Sequence, residues 1–181
     1  MSFRYILFHK PYGVLCQFSG VGPTLADFDL PKGIYAAGRL DKDSEGLLLL
    51  TNDGIFNQKL THPKSNKEKI YQVLVDGTPS SEDLKKLETG VLIKGKKARA
   101  KKAILLKTPI HFPNGPTIRE RKNIPTTWIE LTLTQGLNRQ VRRMTAQIGH
   151  PTLRLIRTGL GPYQLKDLPA GKWVETDRQK L

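Results

Sequence analysis

An α+β fold on a mixed, mostly antiparallel sheet is what this sequence predicts. Two observations carry that reading. Strand-like runs separated by Gly, Pro and Asp-Gly turn signals recur along the whole chain, and segments with helix punctuation are few. With 181 residues, 38% of them hydrophobic, the chain is long enough to bury a core as one domain. We expect it to be organised as two fused lobes, approximately 1–63 and 64–181, sharing the sheet.

In chain order, "RYILFHKPYGVLCQF" predicts two short strands broken by a Pro-Tyr-Gly turn. "GLLLLTND" predicts a buried strand, and Asp53 is placed to cap the short helix "GIFNQKL", which stops at His62-Pro63. "KSNKEK" is a charged connector and the expected boundary between lobes. "KIYQVLVDG" predicts a strand closed by an Asp-Gly turn. In "SSEDLKKLETG", Ser80 and Asp83 form a variant capping box, and Gly90 supplies the stop. "VLIKGKKARAKKAILLK" predicts two lysine-rich strands, and residues 108–125 a long loop. In "TTWIELTLTQG", Ile129, Leu131 and Leu133 alternate with polar or amphipathic residues, the pattern of a half-buried strand. "NRQVRRMTAQIG" predicts a helix with Asn138 as N-cap and Val141, Met144 and Ile148 on its buried face. "TLRLIRTG" predicts the next strand.

Thirty Lys and Arg against sixteen Asp and Glu give a formal charge of +14, and a pI of about 10.0. So basic a chain implies a polyanionic partner, nucleic acid ahead of a membrane surface. The single cysteine, Cys16, excludes an internal disulfide and any zinc site built on Cys spacing, and the four histidines are scattered. No run approaches transmembrane length, and the N-terminal apolar run is too short for a signal peptide. A soluble cytoplasmic protein is expected.

Against this basic background, "GRLDKDSEGLLLLTNDG" (residues 38–54) holds Asp41, Asp43, Glu45 and Asp53. Asp41, Asp43, Glu45 and Gly46 mimic the start of a calcium loop, but its twelfth position is Asn52, which cannot give a bidentate carboxylate. Asp53 reads as a helix cap, and Asp43 and Glu45 as surface or local turn chemistry. Asp41 differs: in an extended "GRLD" it points to the same side as Arg39. A carboxylate on a polyanion-binding surface repels its ligand, so it either pairs with an arginine or does chemistry on the bound nucleic acid. Arg139, Arg142 and Arg143 raise the converse question. They crowd the positive end of a helix, where a nearby anion makes them tolerable.

These residues resemble the pseudouridine synthases, in the branch that acts on ribosomal RNA. Four segments agree in the family's order: "LFHKPYGVL", "GRLDKDSEGLLLLTNDG", "KIYQVLVDG" and "QGLNRQVRRMTAQIGHPTLRLIRTGLG". The resemblance implies the synthase catalytic fold, with a central cleft between the lobes. It also implies a reaction without cofactor or metal: the glycosidic bond of a uridine breaks, the base turns, and it rejoins through carbon 5. By resemblance Asp41 is the catalytic carboxylate, acting either as nucleophile at the anomeric carbon or as base at the adjacent sugar carbon. Arg39 fills the space left by the extruded base and contacts RNA. Tyr71, which on its own pattern reads as a core or edge-strand residue, stacks on the flipped base and assists proton loss at carbon 5. Arg142 is the basic residue that pairs with the aspartate.

Further RNA contacts are expected of Arg139 and Arg143 (phosphate or structure), of Lys10 (RNA contact or a turn packed beside the active site), and of Arg119, Arg121 and Lys122. The last three lie in the insert "PTIRERKNIPTTW", which resembles compact members that act on large-subunit rRNA. The lysines of 94–102 are a solvated face or a phosphate track. Two departures stand out. Most members of the branch begin with a separate S4-type RNA-binding domain, and this chain starts at the catalytic core. Where the family carries Glu-Gly-basic before Asn-Arg-Gln, this chain has Gln135 and Leu137. The expectation is a monomeric pseudouridine synthase of rRNA, the large-subunit rRNA first; the rivals are a non-catalytic rRNA-binding or ribosome-assembly protein on the same fold and, more weakly, a tRNA-directed or multi-site synthase.

Overall fold

The computed structural model describes residues 2–110, 112–113, 115–118 and 124–180. Its elements are β1 (Tyr5–Lys10), β2 (Tyr35–Ala36), β3 (Glu45–Thr51), α1 (Gly54–Thr61), β4 (Lys69–Asp76), α2 (Ser81–Thr89), β5 (Val91–Ile93), β6 (Lys96–Ala98), β7 (Lys102–Leu105), β8 (Thr126–Leu133), α3 (Gln140–Gln147), β9 (Thr152–Leu160), β10 (Tyr163–Gln164) and β11 (Trp173–Thr176). One nine-stranded sheet runs β11-β1-β3-β9-β4-β8-β7, with β2 attached to β3 and β10 to β9, and β5-β6 form a separate hairpin. The α+β class and the mostly antiparallel sheet are as expected. Among the strand pairs described, β3 with β9 is the parallel one, joined at Glu45↔Ile156 and Gly46↔Arg157.

That parallel contact explains one glycine. Gly46 has φ +107°, and a Cβ built there would lie 2.3 Å from the Arg157 carbonyl oxygen. Only a residue without a side chain lets β3 approach β9 so closely in that conformation.

Three apolar clusters fill the two faces of the sheet. Val73 and Val75 of β4, Ile129, Leu131 and Leu133 of β8, Leu155 of β9, and Val141 and Met144 of α3 form the first, with Tyr71 and Ile148 packed against it. Leu47, Leu49, Phe56, Ile156 and Leu160 belong to the second. Ile6, Phe8, Val14, Cys16, Leu40, Leu48 and Leu50 belong to the third. Strand alternation assigns the faces. Leu47, Leu49 and Ile156 lie on one side, so Leu48 and Leu50 of β3 and Leu155 of β9 lie on the other. The first and third clusters therefore share a face, the one that α3 covers.

β3 is buried along its whole length, as its apolar run requires. Asp53 caps α1 by accepting from the Phe56 N–H, and the Tyr5 hydroxyl donates to its other oxygen at 2.7 Å. The Ser80–Asp83 capping box closes α2, which ends at Gly90 with φ +112°.

Four local expectations change. After the Pro-Tyr-Gly turn no second strand forms; Leu15 makes an isolated bridge to Thr24 instead. The lysine-rich segment gives three short strands rather than two, because Lys94 and Gly95, both with positive φ, turn β5 back on β6. Asn138 does not cap α3. That position is Arg139, left-handed at φ +50°, and the Asn138 side chain accepts from Arg143 instead. Glu45 is not at the surface. It is 2% exposed, and Arg154 donates to both its oxygens at 2.8 Å.

Candidate active site

The loop carrying Asp41 is held from beneath. Leu40 buries its side chain in the third cluster, and its N–H donates to Cys16 Sγ at 3.2 Å. On the far side of Asp41, the Gly13 N–H donates to the Lys42 carbonyl at 2.8 Å, and the Ser44 N–H closes a turn on the Asp41 carbonyl at 3.1 Å. Arg39 and Asp41 thus flank an anchored leucine, and Arg39 is exposed without a polar partner among the described residues. Asp41, Lys42, Asp43, Tyr12, Gly13 and Arg139 line a cavity of about 290 Å³.

The arginines of α3 meet these acids in an arrangement that corrects the expected pairing. Arg142 does not pair with Asp41. Its Nε lies 3.2 Å from an Asp43 carboxylate oxygen, and its guanidinium also donates to the Asp43 carbonyl. Arg139 binds the Asp43 carboxylate in two-pronged fashion at 2.9 and 2.7 Å and reaches Asp41 at 3.5 Å. The reason is local: left-handed geometry at Arg139 starts the helix with that side chain over the acidic loop, while Arg142, one turn on, faces Asp43. The Arg139 hydrogen bonds, reinforced by the Arg142 charge, hold the Asp43 carboxyl below its usual range against the opposing effect of burial. Asp43, read as turn chemistry in the sequence, is the ionic hub that makes a cation-rich helix start tolerable. Asp41 is left 41% exposed at the cavity, with one loose ion pair.

Tyr71 is half-buried against the first cluster, on the same sheet face as the third cluster, but it is not among the residues lining the cavity. Lys10 has the place of a packed turn residue rather than an exposed one. It is fully buried, and its ammonium donates to the carbonyls of Pro11 and Val14 at 2.9 and 2.8 Å. It shapes the turn that presents Tyr12 and Gly13 to the cavity. Gln135 holds the loop before α3 to the basic hairpin, its Oε1 accepting from the Arg99 N–H and its Nε2 donating to the Lys97 carbonyl. Leu137 packs on the first cluster. Arg143 bonds Asn138 at 2.8 Å. Arg119, Arg121 and Lys122 lie outside the described residues. Lys94, Lys96, Lys97, Lys101 and Lys102 are exposed. Among the described residues no three His, Cys, Asp or Glu side chains gather as a metal site, and no helix is long and apolar enough to cross a membrane.

Burial pulls the Lys10 pKa down to about 8, from an ordinary 10.5. Between those values the unfolded chain holds the proton and the folded chain releases it, so stability rises with pH across this window. The wild type should therefore gain stability relative to Lys10→Met as pH rises from 8 to 10, and show no such trend below pH 7. Urea midpoints of both proteins across that range check it.

Comparison with known proteins bears on this site. The family profile described as RNA pseudouridylate synthase matches residues 4–147, a span that includes Asp41, Tyr71 and Arg142. The chain belongs to this family. The synthase is 52% identical, over 95% of its length and 73% of the relative's, to the ribosomal large subunit pseudouridine synthase E of Vibrio parahaemolyticus. It is 47% identical to the protein of the same name from Xanthomonas campestris, over 97% of both chains. Its fold matches a crystal structure of pseudouridylate synthase with TM-score 0.79 and 29% identity, over 97% of this chain and 71% of that one.

Proposed function

We propose that the synthase converts a uridine of large-subunit ribosomal RNA to pseudouridine, with Asp41 as the carboxylate that acts on the sugar. The observation that carries this reading is the division of labour between two neighbouring acids. Asp43 absorbs the strong contacts of Arg139 and Arg142, and Asp41 keeps a half-exposed carboxylate facing the cavity. A purely structural acid would be the better-bonded one. The names of the relatives, given to large-subunit enzymes, support the choice of RNA.

The reaction is an isomerisation. The N1–C1′ bond breaks, the base turns, a C5–C1′ bond forms, the proton on C5 is lost and N1 gains one. A stacked uridine hides its sugar and base edges, so the nucleotide is turned out of its helix. Arg39, exposed beside Asp41, fills the space it leaves. Arg143 and the exposed lysines of β5–β7 hold phosphate, and a single chain suffices for the site. Arg139 and Arg142 act through Asp43, keeping the acidic loop in place over α3.

The test is release of tritium from large-subunit rRNA labelled at uracil carbon 5. Wild type should release label in step with pseudouridine formation; RNA binding without release would leave a binding protein on a synthase fold. For Tyr71→Phe we expect an unchanged melting temperature and a loss of about 10²-fold in turnover, the range of general acid–base assistance. Normal turnover in that variant would limit Tyr71 to stacking.

A further inference from the structure

Arg157 lies where the two halves of the sheet part. β3 and β9 are joined for two residue pairs, the second being Gly46↔Arg157. Beyond it β3 continues beside β1, and β9 continues beside β4 and β10. Arg157 faces Tyr71 directly across β4, as Leu155 faces Val73, so it shares the face of the first cluster. The third cluster, which anchors the Asp41 loop, is on that face too. A base entering between the Asp41 loop and Tyr71 would come down on this residue.

The side chain is 3% exposed. Its Nε donates at 2.8 Å to the carbonyl of Leu47, the first β3 residue past the junction. Its Nη2 is buried and has no hydrogen-bond partner among the described residues. Among the described residues no carboxylate pairs with it, and another cation, Lys69, lies within reach of its charge on the same face of β4. Lys69 in turn donates to the Lys67 carbonyl. A guanidinium buried in this way is costly unless an acceptor completes it. Staple-like bonding to Leu47 uses one of its five donors.

We propose that Arg157 is a substrate-positioning residue, whose free Nη2 donates to an exocyclic oxygen of the target pyrimidine. The proposal rests on the synthase reading above. Depth selects the base over the backbone: at 3% exposure the group is reached by a planar ring inserted edge-first, whereas phosphates meet the exposed cations at the rim. A donor-only group also carries specificity. Arginine cannot accept, so at carbon 4 it would match the uracil carbonyl and leave the amino group of cytosine unpaired, whereas at carbon 2, where both bases carry a carbonyl, it would orient the ring without choosing between them.

The test uses RNA that wild type has been shown to turn over, carrying uridine, 2-thiouridine or 4-thiouridine at the reacting position, with tritium at carbon 5. Sulfur is a weak acceptor, so wild type should lose about tenfold in kcat/KM at one of the two sulfur positions, the size of one hydrogen bond. Arg157→Lys and Arg157→Gln should be slower on the uridine RNA and lose that sensitivity, while the salt dependence of RNA binding stays as in wild type. Equal rates of wild type on all three RNAs would overturn the proposal. So would full thio sensitivity in either folded variant, which would make Arg157 a structural staple. A shallower salt dependence with thio sensitivity intact would also overturn it, in favour of a phosphate contact. Because the comparison starts from RNA that wild type modifies, failure of the proposed function would show first, as no release from the uridine RNA.

Discussion

Asp41→Asn should bind rRNA as wild type does and release essentially no tritium, a loss of at least about 10²–10⁴-fold. The change is nearly isosteric and removes only the charge. Its structural cost should be small, because the Asp41 side chain is 41% exposed and its ion pair to Arg139 is 3.5 Å long. Arg139 keeps both bonds to Asp43, and the loop keeps its backbone bonds from Gly13 and Ser44. Exposed substitutions of this kind stay within about 0.5 kcal/mol. Binding should hold or tighten slightly, since one repulsive charge leaves a basic surface. Filter binding and single-turnover release on the same preparation separate the two effects. Release at the wild-type rate would remove Asp41 from the chemistry.

The second large effect is on stability. Glu45→Gln should destabilise the fold by about 3–5 kcal/mol, the cost of leaving a buried charge without its counterion. For a chain of this size that is a fall of about 6–20 °C in melting temperature. The pair it breaks is well made: Arg154 donates to both Glu45 oxygens and to the Phe112 carbonyl, with the two side chains 12% and 2% exposed. It spans β3 and β9 at their two-residue junction. The double variant Glu45→Leu, Arg154→Met should be more stable than Glu45→Gln, because no unpaired charge remains. Thermal melts of the three proteins decide the matter; a double variant no better than the single one would assign the loss to packing instead.

The sequence made the local elements readable and hid the long-range pairings. The apolar run of β3, the Asp53 cap and the Ser80–Asp83 box are signals contained within a few residues, and each appears where expected. Glu45 and Arg154 are 109 positions apart, and neither carries a local sign that it will be buried. The turn sequence leaves Lys10 open between an RNA contact and a packed turn, because lysine is usually exposed; two carbonyls of its own turn make burial possible. For the arginines of α3, a nearby anion was foreseeable from the charge crowding alone. Which acid would serve depended on the left-handed residue at Arg139, and nothing but its φ distinguishes that residue from an ordinary helix start. The motifs single out Asp41, Tyr71 and Arg142, whereas Arg157, in the same segment as Arg142, carries no local sign of burial. Its burial follows from strand order, which no short window of residues contains.

The pairing of β1 with β11 has a consequence for how the protein is made. Tyr5 finds its partner in Thr176, and the Arg4–Glu175 ion pair beside it joins positions 171 apart. On a ribosome adding about 5–20 residues per second, that outer side of β1 waits roughly 10–30 s for its neighbour. Through that interval the nascent chain carries an unpaired strand edge, the feature most prone to pairing with the wrong molecule. Translation speed and chaperone supply should therefore govern how much of this protein matures, independently of how stable the finished sheet is.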